Sequence, residues 1–271
     1  MSAKSEPINI NIDELLLHAK AIARDAGHAI MEVYSTDFSV EQKHDSSPLT
    51  LADSRSHEII SERLSLIPGC SLPLLSEEGK DIPYTERKNW EYFWLVDPLD
   101  GTKEFIKRNG QFTVNIALIH RDRPVLGVIY VPVSRILYYS ADKMGAYREE
   151  QEVSLKLPLR TPRKHFTLVG SRSHATHEQE EFIEKMRKKH GEADFISAGS
   201  SLKFCLVAEG KADIYPRFGP TMEWDTAAGQ AIIEQAGGSV SEIKSGIPLV
   251  YNKTNLMNPF FFASMPSQQK A

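Results

Sequence analysis

Four short runs rich in apolar and β-forming residues follow one another in the first half of the chain and restrict its fold more than any other feature. The runs cover residues 92–96, 113–119, 125–131 and 135–140. Turn-forming sequences at 121–124 and 132–134 separate the last three runs, and these links are too short to hold a helix. Because parallel neighbours need a long crossover, the spacing predicts an antiparallel meander.

Helical patterns precede this meander. Apolar residues at three-four spacing predict a long helix over 12–33, with Asn11 as its N-cap and Glu14 as a capping-box partner. A second helix is predicted over 53–66, because the dipeptide Pro68-Gly69 stops a helix there.

The second half of the chain has a different pattern. A polar, proline-containing seam at 149–165 separates it from the first half. Beyond the seam, strands and helices alternate, which is typical of a layered α/β arrangement. The predicted strands are 167–170 and 212–215, and the predicted helices are 178–189, 200–209 and 226–235. We therefore expect an N-terminal α+β half over residues 1–160 and a C-terminal α/β half over residues 161–271.

Charge and composition exclude several classes of protein. The chain has 271 residues, and 32 Lys and Arg against 36 Asp and Glu leave a formal net charge of -4 at pH 7. A nucleic-acid polymer normally requires a basic surface, so we expect no such partner. No apolar stretch approaches the roughly 20 residues of a membrane-spanning helix, and two cysteines make no disulfide framework. These features predict a cytoplasmic protein without an integral membrane segment.

The most informative motif is Asp97-Pro98-Leu99-Asp100-Gly101-Thr102, at the end of the first apolar run. Pro98 fixes the backbone between two carboxylates, and Gly101 permits a tight turn into a short helix. Two convergent carboxylates repel each other unless a cation lies between them. Oxygen ligands favour Mg²⁺ or Mn²⁺, and without His or Cys in the motif zinc is disfavoured. Asp-Pro and Asp-Gly are also ordinary turn residues, and that interpretation stays open at this point.

Further acidic residues can complete such a site. Glu77 and Glu78 follow a predicted strand over 72–75, and one of them can join the same ion while the other stays solvated. Asp225 and Asp53 each stand at the start of a predicted helix. Asp is a common N-cap, so helix capping alone also explains these two residues.

Taken together, three acidic motifs resemble those of the inositol monophosphatase family, a group of Mg²⁺-dependent, lithium-sensitive phosphomonoesterases. The motifs are Glu77-Glu78, the stretch from Asp97 to Thr102, and Trp224-Asp225. Four other stretches are similar to the 3'(2'),5'-bisphosphate nucleotidase branch of that family. The first is the hexapeptide 100–105, in which Lys-Glu-Phe follows Asp-Gly-Thr, whereas inositol monophosphatases usually have Thr-Asn-Phe there. The others are residues 112–115, 170–174 and 199–204.

The resemblance implies an α+β fold, a layered α-β-α-β-α sandwich of the inositol monophosphatase and fructose bisphosphatase type. It implies hydrolysis of the 3'-phosphate of adenosine 3',5'-bisphosphate (PAP) to AMP and phosphate, in sulfur assimilation or nucleotide clearance. The sulfate-activated nucleotide PAPS, converted to APS, is the expected second substrate. The alternatives are an inositol or sugar phosphatase and a nucleotide-binding regulator without turnover. Retention of the acidic residues and Thr102 argues against the regulator.

The resemblance also implies a cofactor and catalytic residues. The expected cofactor is Mg²⁺, as two or three ions, with Mn²⁺ as a substitute and Li⁺ as an inhibitor. The implied metal ligands are Glu77, Asp97, the backbone carbonyl of Leu99, Asp100 and Asp225. Asp53 and Thr102, joined by a hydrogen bond, would position and activate the attacking water.

A bisphosphate substrate needs positive charge or free amides for its second phosphate. The residues expected to contact substrate are Glu77, Leu99, Asp100, Gly101, Thr102, Ser173, His174, Gly199, Ser200, Lys203, Arg217 and Asp225. A lysine in a helix is normally solvated, and the resemblance alone gives Lys203 this role. The expected assembly is a monomer or a homodimer, and loose association with the inner face of the plasma membrane stays open.

Overall fold

The computed structural model describes residues 10–36, 48–159, 163–171 and 177–266. Its helices are α1 (Ile12–Tyr34), α2 (Pro48–Ser65), α3 (Tyr84–Arg87), α4 (Thr102–Ile106), α5 (His177–His190), α6 (Leu202–Ala208) and α7 (Ala227–Gln235). Its strands are β1 (Leu74–Ser76), β2 (Tyr92–Asp100), β3 (Thr113–His120), β4 (Arg123–Val131), β5 (Ile136–Ala141), β6 (Gly145–Glu150), β7 (Val153–Lys156), β8 (Phe166–Gly170), β9 (Ala193–Ser197), β10 (Ile214–Arg217), β11 (Ser239–Glu242) and β12 (Phe261–Ser264). No helix within these residues is both long and apolar enough to cross a bilayer.

Two sheets and three helical layers form the frame. The first sheet has the strand order β1 to β7, and the second has the order β11-β12-β10-β8-β9. Helices α1 and α2 pack on one face of the first sheet, and α6 and α7 lie between the two sheets. Helix α5 packs on the second sheet, where Phe182 stacks on Phe262 with ring centroids 4.8 Å apart. The layers follow the order α-β-α-β-α, which confirms the predicted sandwich.

The first sheet confirms the predicted meander. Successive strands from β2 to β7 pair antiparallel, as the short links between them require, and β1 pairs parallel with β2. The predicted cap of α1 is also present, because the Asn11 side chain accepts a hydrogen bond from the Glu14 N–H at 3.3 Å. The buried face of α1 packs on this sheet and joins its apolar core.

Two expectations about helix starts are wrong. Helix α2 includes Pro48, so Asp53 lies within the helix and is not its N-cap. Proline suits the first turn of a helix because an N–H there has no intrahelical partner, and this signal lay before the predicted start. Asp225 belongs to a short 3-10 turn, Glu223–Asp225, and Thr226 is the N-cap of α7. Neither carboxylate therefore caps α2 or α7, although the Asp225 Oδ2 accepts the Met222 N–H at 2.8 Å and so caps the 3-10 turn.

Candidate active site

The parallel pairing of β1 and β2 brings the first acidic residues together. Ser76 pairs with Val96 at the ends of the two strands, and the Glu77 N–H donates to the Val96 carbonyl at 3.2 Å. Parallel strands end at the same edge of a sheet, so Glu77 lies beside Asp97. Carboxylate oxygens of Glu77, Asp97 and Asp225 all lie within 4.8 Å of one another. We call these three residues the acidic cluster.

A bulge in β2 separates Asp97 from Asp100. Asp97 pairs with Asn115 and Asp100 with Thr113, so β2 holds one more residue than β3 between the two pairs. Pro98 has no N–H to donate to the ladder, and proline is tolerated at such a bulge. The Leu99 N–H instead donates to the Asp97 side chain at 3.1 Å. The bulge places both carboxylates at one end of the strand, as the motif predicts.

Gly101 joins β2 to α4 and confirms the predicted tight turn. Its φ of 103° lies in the region that favours glycine. A Cβ at this position would lie 3.1 Å from the Ser200 Cβ and 3.2 Å from the Gln111 carbonyl oxygen. The close approach of residues 199–201 to the end of β2 therefore depends on glycine here.

Burial and like charge act together on the acidic cluster. Asp97 is 1% exposed, and burial followed by the charges of Asp100 and Glu77 raises its pKa well above the usual range. Burial and Asp100 raise the pKa of Asp225 to about 7. Three carboxylates held this closely are stabilised by a cation between them, and an all-oxygen donor set suits a hard divalent metal. The donor set of the cluster therefore fits such a cation.

Asp53 has a different partner from the one expected. Its carboxyl group hydrogen-bonds to Glu78, and burial, Glu78 and Glu77 raise its pKa to about 8. Among the described residues no hydrogen bond joins Asp53 to Thr102, although α2 packs against α4. The predicted Asp53–Thr102 bond is thus not formed in this structure, where Glu78 is the hydrogen-bond partner of Asp53 and is itself exposed, as expected.

A cleft opens beside the acidic cluster. The residues that line it are Asp100, Gly101, Glu104, Ser171, Gly199, Ser200, Ser201, Lys203, Phe204, Tyr215, Arg217, Thr221, Asp225 and Thr226. Seven of the residues expected to contact substrate are in this set, whereas Glu77, Leu99 and Thr102 are not among the lining residues. Ser173 and His174 lie outside the described residues, although Ser171 lines the cleft.

Lys203 is buried in the wall of this cleft. It is 5% exposed, and its Nζ donates to the Ser200 carbonyl at 2.6 Å. Burial lowers its pKa to about 8, with Asp100 acting in the opposite direction, so the ammonium group is charged at neutral pH. The ordinary behaviour of a helix lysine, a solvated side chain, is therefore not found here. Arg217 lines the same cleft and adds a second positive charge.

The backbone amide of Gly199, which was expected to contact substrate, already donates a hydrogen bond within the protein. The Gly199 N–H donates to the Gln111 side-chain oxygen at 2.8 Å, so this amide is not free to bind a phosphate oxygen.

Some residues that line the cleft were not predicted from the sequence. Ser201, Glu104 and Tyr215 line it, and the first two lie in stretches that the family resemblance covers. Nothing in the sequence distinguishes Tyr215 from an ordinary core tyrosine.

Comparisons with known proteins agree with this geometry. The model of the inositol monophosphatase family matches residues 11–262. The chain belongs to this family, whose members are metal-dependent, and that requirement agrees with the acidic cluster.

Individual relatives of the chain carry more specific names than the family as a whole. The chain is 49% identical over 249 residues to the 3'(2'),5'-bisphosphate nucleotidase CysQ of Escherichia coli K12, covering 90% of this chain and 97% of that protein. The CysQ nucleotidase of Buchnera aphidicola is 44% identical over 248 residues, covering 90% of this chain and 91% of that protein. The crystal structure of CysQ from Bacteroides thetaiotaomicron has a TM-score of 0.87 at 47% identity, covering 97% of this chain and all of that one.

The raised pKa values predict an unusual pH dependence of stability without metal. The folded protein holds protons on Asp225 and Asp53 up to about pH 7 and 8, whereas their ordinary value is 3.8. Folding then binds protons, so the free energy of unfolding in chelator falls as pH rises between about 4 and 8. Thermal unfolding in EDTA at pH 6 and pH 8 measures this effect. Asp225→Asn is the matched variant, and an equal pH dependence in that variant would contradict the assignment.

Proposed function

We propose that this protein is a Mg²⁺-dependent phosphomonoesterase that converts PAP to AMP and phosphate, and PAPS to APS. The observation that carries the proposal is the position of Lys203 and Arg217 in the cleft that Asp100 and Asp225 also line. A substrate with a second phosphate can place one phosphate at the acidic end and the other at these two cations. The named CysQ relatives support the same substrate class.

Oxygen ligands for the metal are available at one end of the cleft. We propose that the Glu77, Asp97, Asp100 and Asp225 carboxylates and the Leu99 carbonyl hold two or three Mg²⁺ ions, with Mn²⁺ as a substitute. Bound there, the metal neutralises phosphate charge and lowers the pKa of water. Asp97 is anchored for this role, because its own side chain accepts the Leu99 N–H and it is almost fully buried.

Thr102 and Asp53 are proposed to prepare the attacking water. The Thr102 hydroxyl accepts a hydrogen bond from water and orients it toward phosphorus, and a carboxyl oxygen of Asp53 accepts the Thr102 hydroxyl proton in a hydrogen bond that orients that hydroxyl. This arrangement requires Asp53 to exchange Glu78 for Thr102 as its hydrogen-bond partner. The backbone amides of Gly101 and Thr102 are proposed to bind phosphate oxygens.

The proposed site draws on both halves of the chain. Asp97 and Asp100 belong to residues 1–160, whereas Asp225, Lys203 and Arg217 belong to residues 161–271. We therefore propose that neither half is active alone. All of these residues come from one protomer, so the proposal is compatible with the expected monomer or homodimer in the cytoplasm.

A substrate panel with Mg²⁺ tests the proposal. Phosphate release is measured from PAP, PAPS, inositol 1-phosphate and fructose 1,6-bisphosphate at equal concentrations. We expect kcat/KM for PAP to exceed the value for inositol 1-phosphate by at least about 100-fold, since the cation-bound second phosphate contributes about 3 kcal/mol. A preference for inositol phosphate would identify a sugar phosphatase, and nucleotide binding without phosphate release would identify a regulator.

Lithium provides an independent test of the metal site. Li⁺ is small and carries one charge, so it can occupy a Mg²⁺ position without supplying the same field at phosphate. We expect millimolar LiCl to inhibit PAP hydrolysis, while the same concentration of KCl leaves the rate unchanged. Full activity in LiCl would contradict the proposed metal arrangement.

A further inference from the structure

Ser201 lies between the two sheets, at the meeting point of residues from both halves of the chain. It precedes α6 and is 2% exposed. Its hydroxyl donates to the Asp100 Oδ2 at 2.8 Å. The backbone carbonyl oxygen of Asp225, 3.1 Å away, is a second acceptor for the same proton. One side chain thus contacts the end of β2 and the turn that carries Asp225.

Asn115 supports this contact from the first sheet. It is 1% exposed, and its Nδ2 donates to the Ser201 Oγ at 3.0 Å and, at 3.4 Å, to the Asp100 Oδ2. The Asn115 Oδ1 accepts a hydrogen bond from the Thr113 hydroxyl at 3.0 Å, which fixes the orientation of the amide. The hydrogen bonds therefore run in one direction, from Thr113 through Asn115 and Ser201 to Asp100.

The strand register explains why these residues meet. Asn115 pairs with Asp97 and Thr113 pairs with Asp100, on either side of the bulge in β2. The bulge shifts the strand register by one residue before Asp100, and the side chains of Asn115 and Ser201 hold the Asp100 carboxylate. Ser201 and Asn115 are both buried, so water does not readily replace either hydrogen bond.

We propose that Ser201, supported by Asn115, is a positioning residue that orients the Asp100 carboxylate for the metal and fixes it relative to the turn of Asp225. This role rests on the proposed function, since it assumes that Asp100 is a metal ligand. Ser201 does not bind the nucleotide itself, because its proton is donated to protein acceptors and its oxygen accepts from Asn115. Residues that hydrogen-bond to a metal ligand commonly change metal affinity by about 10- to 100-fold.

The Ser201→Ala variant tests this role in the absence of nucleotide. Mg²⁺ is titrated by calorimetry into the full-length protein, and we expect the Mg²⁺ dissociation constant to rise by about tenfold. At saturating Mg²⁺ the KM for PAP stays unchanged, whereas a collapsed cleft would raise it. Ser140→Ala is the matched control, because Ser140 is a fully buried serine on β5, away from the acidic cluster. Its Mg²⁺ affinity is expected to equal that of the unchanged protein.

A second variant separates positioning from general loss of structure. Asn115→Ala should weaken Mg²⁺ binding in the same direction, and the loss in the double variant should be smaller than the sum of the two single losses, because Asn115 and Ser201 hold the same carboxylate and hydrogen-bond to each other. Unchanged Mg²⁺ affinity in Ser201→Ala, or additive losses in the double variant, would overturn the proposal. Thermal unfolding in EDTA monitors the fold of each variant. Because the Mg²⁺ titration needs no turnover, absence of PAP hydrolysis would overturn the proposed function alone.

Discussion

Replacing Asp97 with asparagine is expected to reduce kcat/KM for PAP by about a thousandfold, which corresponds to the several kcal/mol that metal ions contribute to such reactions. Asp97 is the most buried carboxylate of the acidic cluster, and asparagine keeps its shape while removing its charge. The Leu99 N–H retains an acceptor in the variant, because the asparagine Oδ1 occupies the place of the Asp97 Oδ1. The loss of activity therefore measures the charge.

The same substitution should stabilise the protein in the absence of metal. The Asp97 carboxylate is desolvated and repelled by Asp100 and Glu77, so its charge destabilises the metal-free fold. We expect Asp97→Asn to raise the thermal midpoint in EDTA and to abolish the further rise that Mg²⁺ gives the unchanged protein. Asp142→Asn, which removes a partner of Arg123 at the surface, is the control. Retained stabilisation by Mg²⁺ in Asp97→Asn would contradict the metal site.

Replacing Lys203 with methionine is expected to raise the KM for PAP by about 10- to 100-fold and to change kcat less, because a charged hydrogen bond contributes about 1.5–3 kcal/mol. Methionine is similar in length and fits a buried position, so the cleft should keep its shape. A substrate without the second phosphate, adenosine 3'-phosphate, should be hydrolysed equally well by the variant and the unchanged protein.

The comparison of the two substrates isolates the role of the charge. Lys185→Met on α5 is the matched control, since that lysine is exposed and lies outside the residues that line the cleft. The buried ammonium of Lys203 is desolvated, so Lys203→Met should not lower the thermal midpoint. Equal losses with PAP and adenosine 3'-phosphate would show that Lys203 shapes the cleft and does not bind the second phosphate.

The sheets were predictable because local sequence determines them. The turns at 121–124 and 132–134 allow only antiparallel neighbours, and the end of β2 at Asp97 to Asp100 follows from Pro98 and Gly101. The order of the layers could be predicted only from the family resemblance, because the periodicity of a helix does not indicate which face of a sheet that helix covers.

The details of the site depend on residues distant in sequence. Lys203 has the sequence context of a solvated helix lysine, and it is buried because α6 packs between the two sheets. The pairing of Asp53 with Glu78 depends on how α2 meets the end of β1, which no local pattern encodes. The hydrogen bond from Ser201 to Asp100 spans the two halves of the chain, so only the folded structure reveals it.

Identification of the products formed from PAP tests the central claim most directly. The unchanged protein is incubated with PAP and Mg²⁺, and the nucleotide products are separated by chromatography while phosphate is measured. The proposed placement of the 3'-phosphate at the acidic cluster and of the 5'-phosphate at Lys203 and Arg217 predicts adenosine 5'-phosphate and phosphate in equal amounts. Formation of adenosine 3'-phosphate, or PAP left intact in the presence of Mg²⁺, would contradict it.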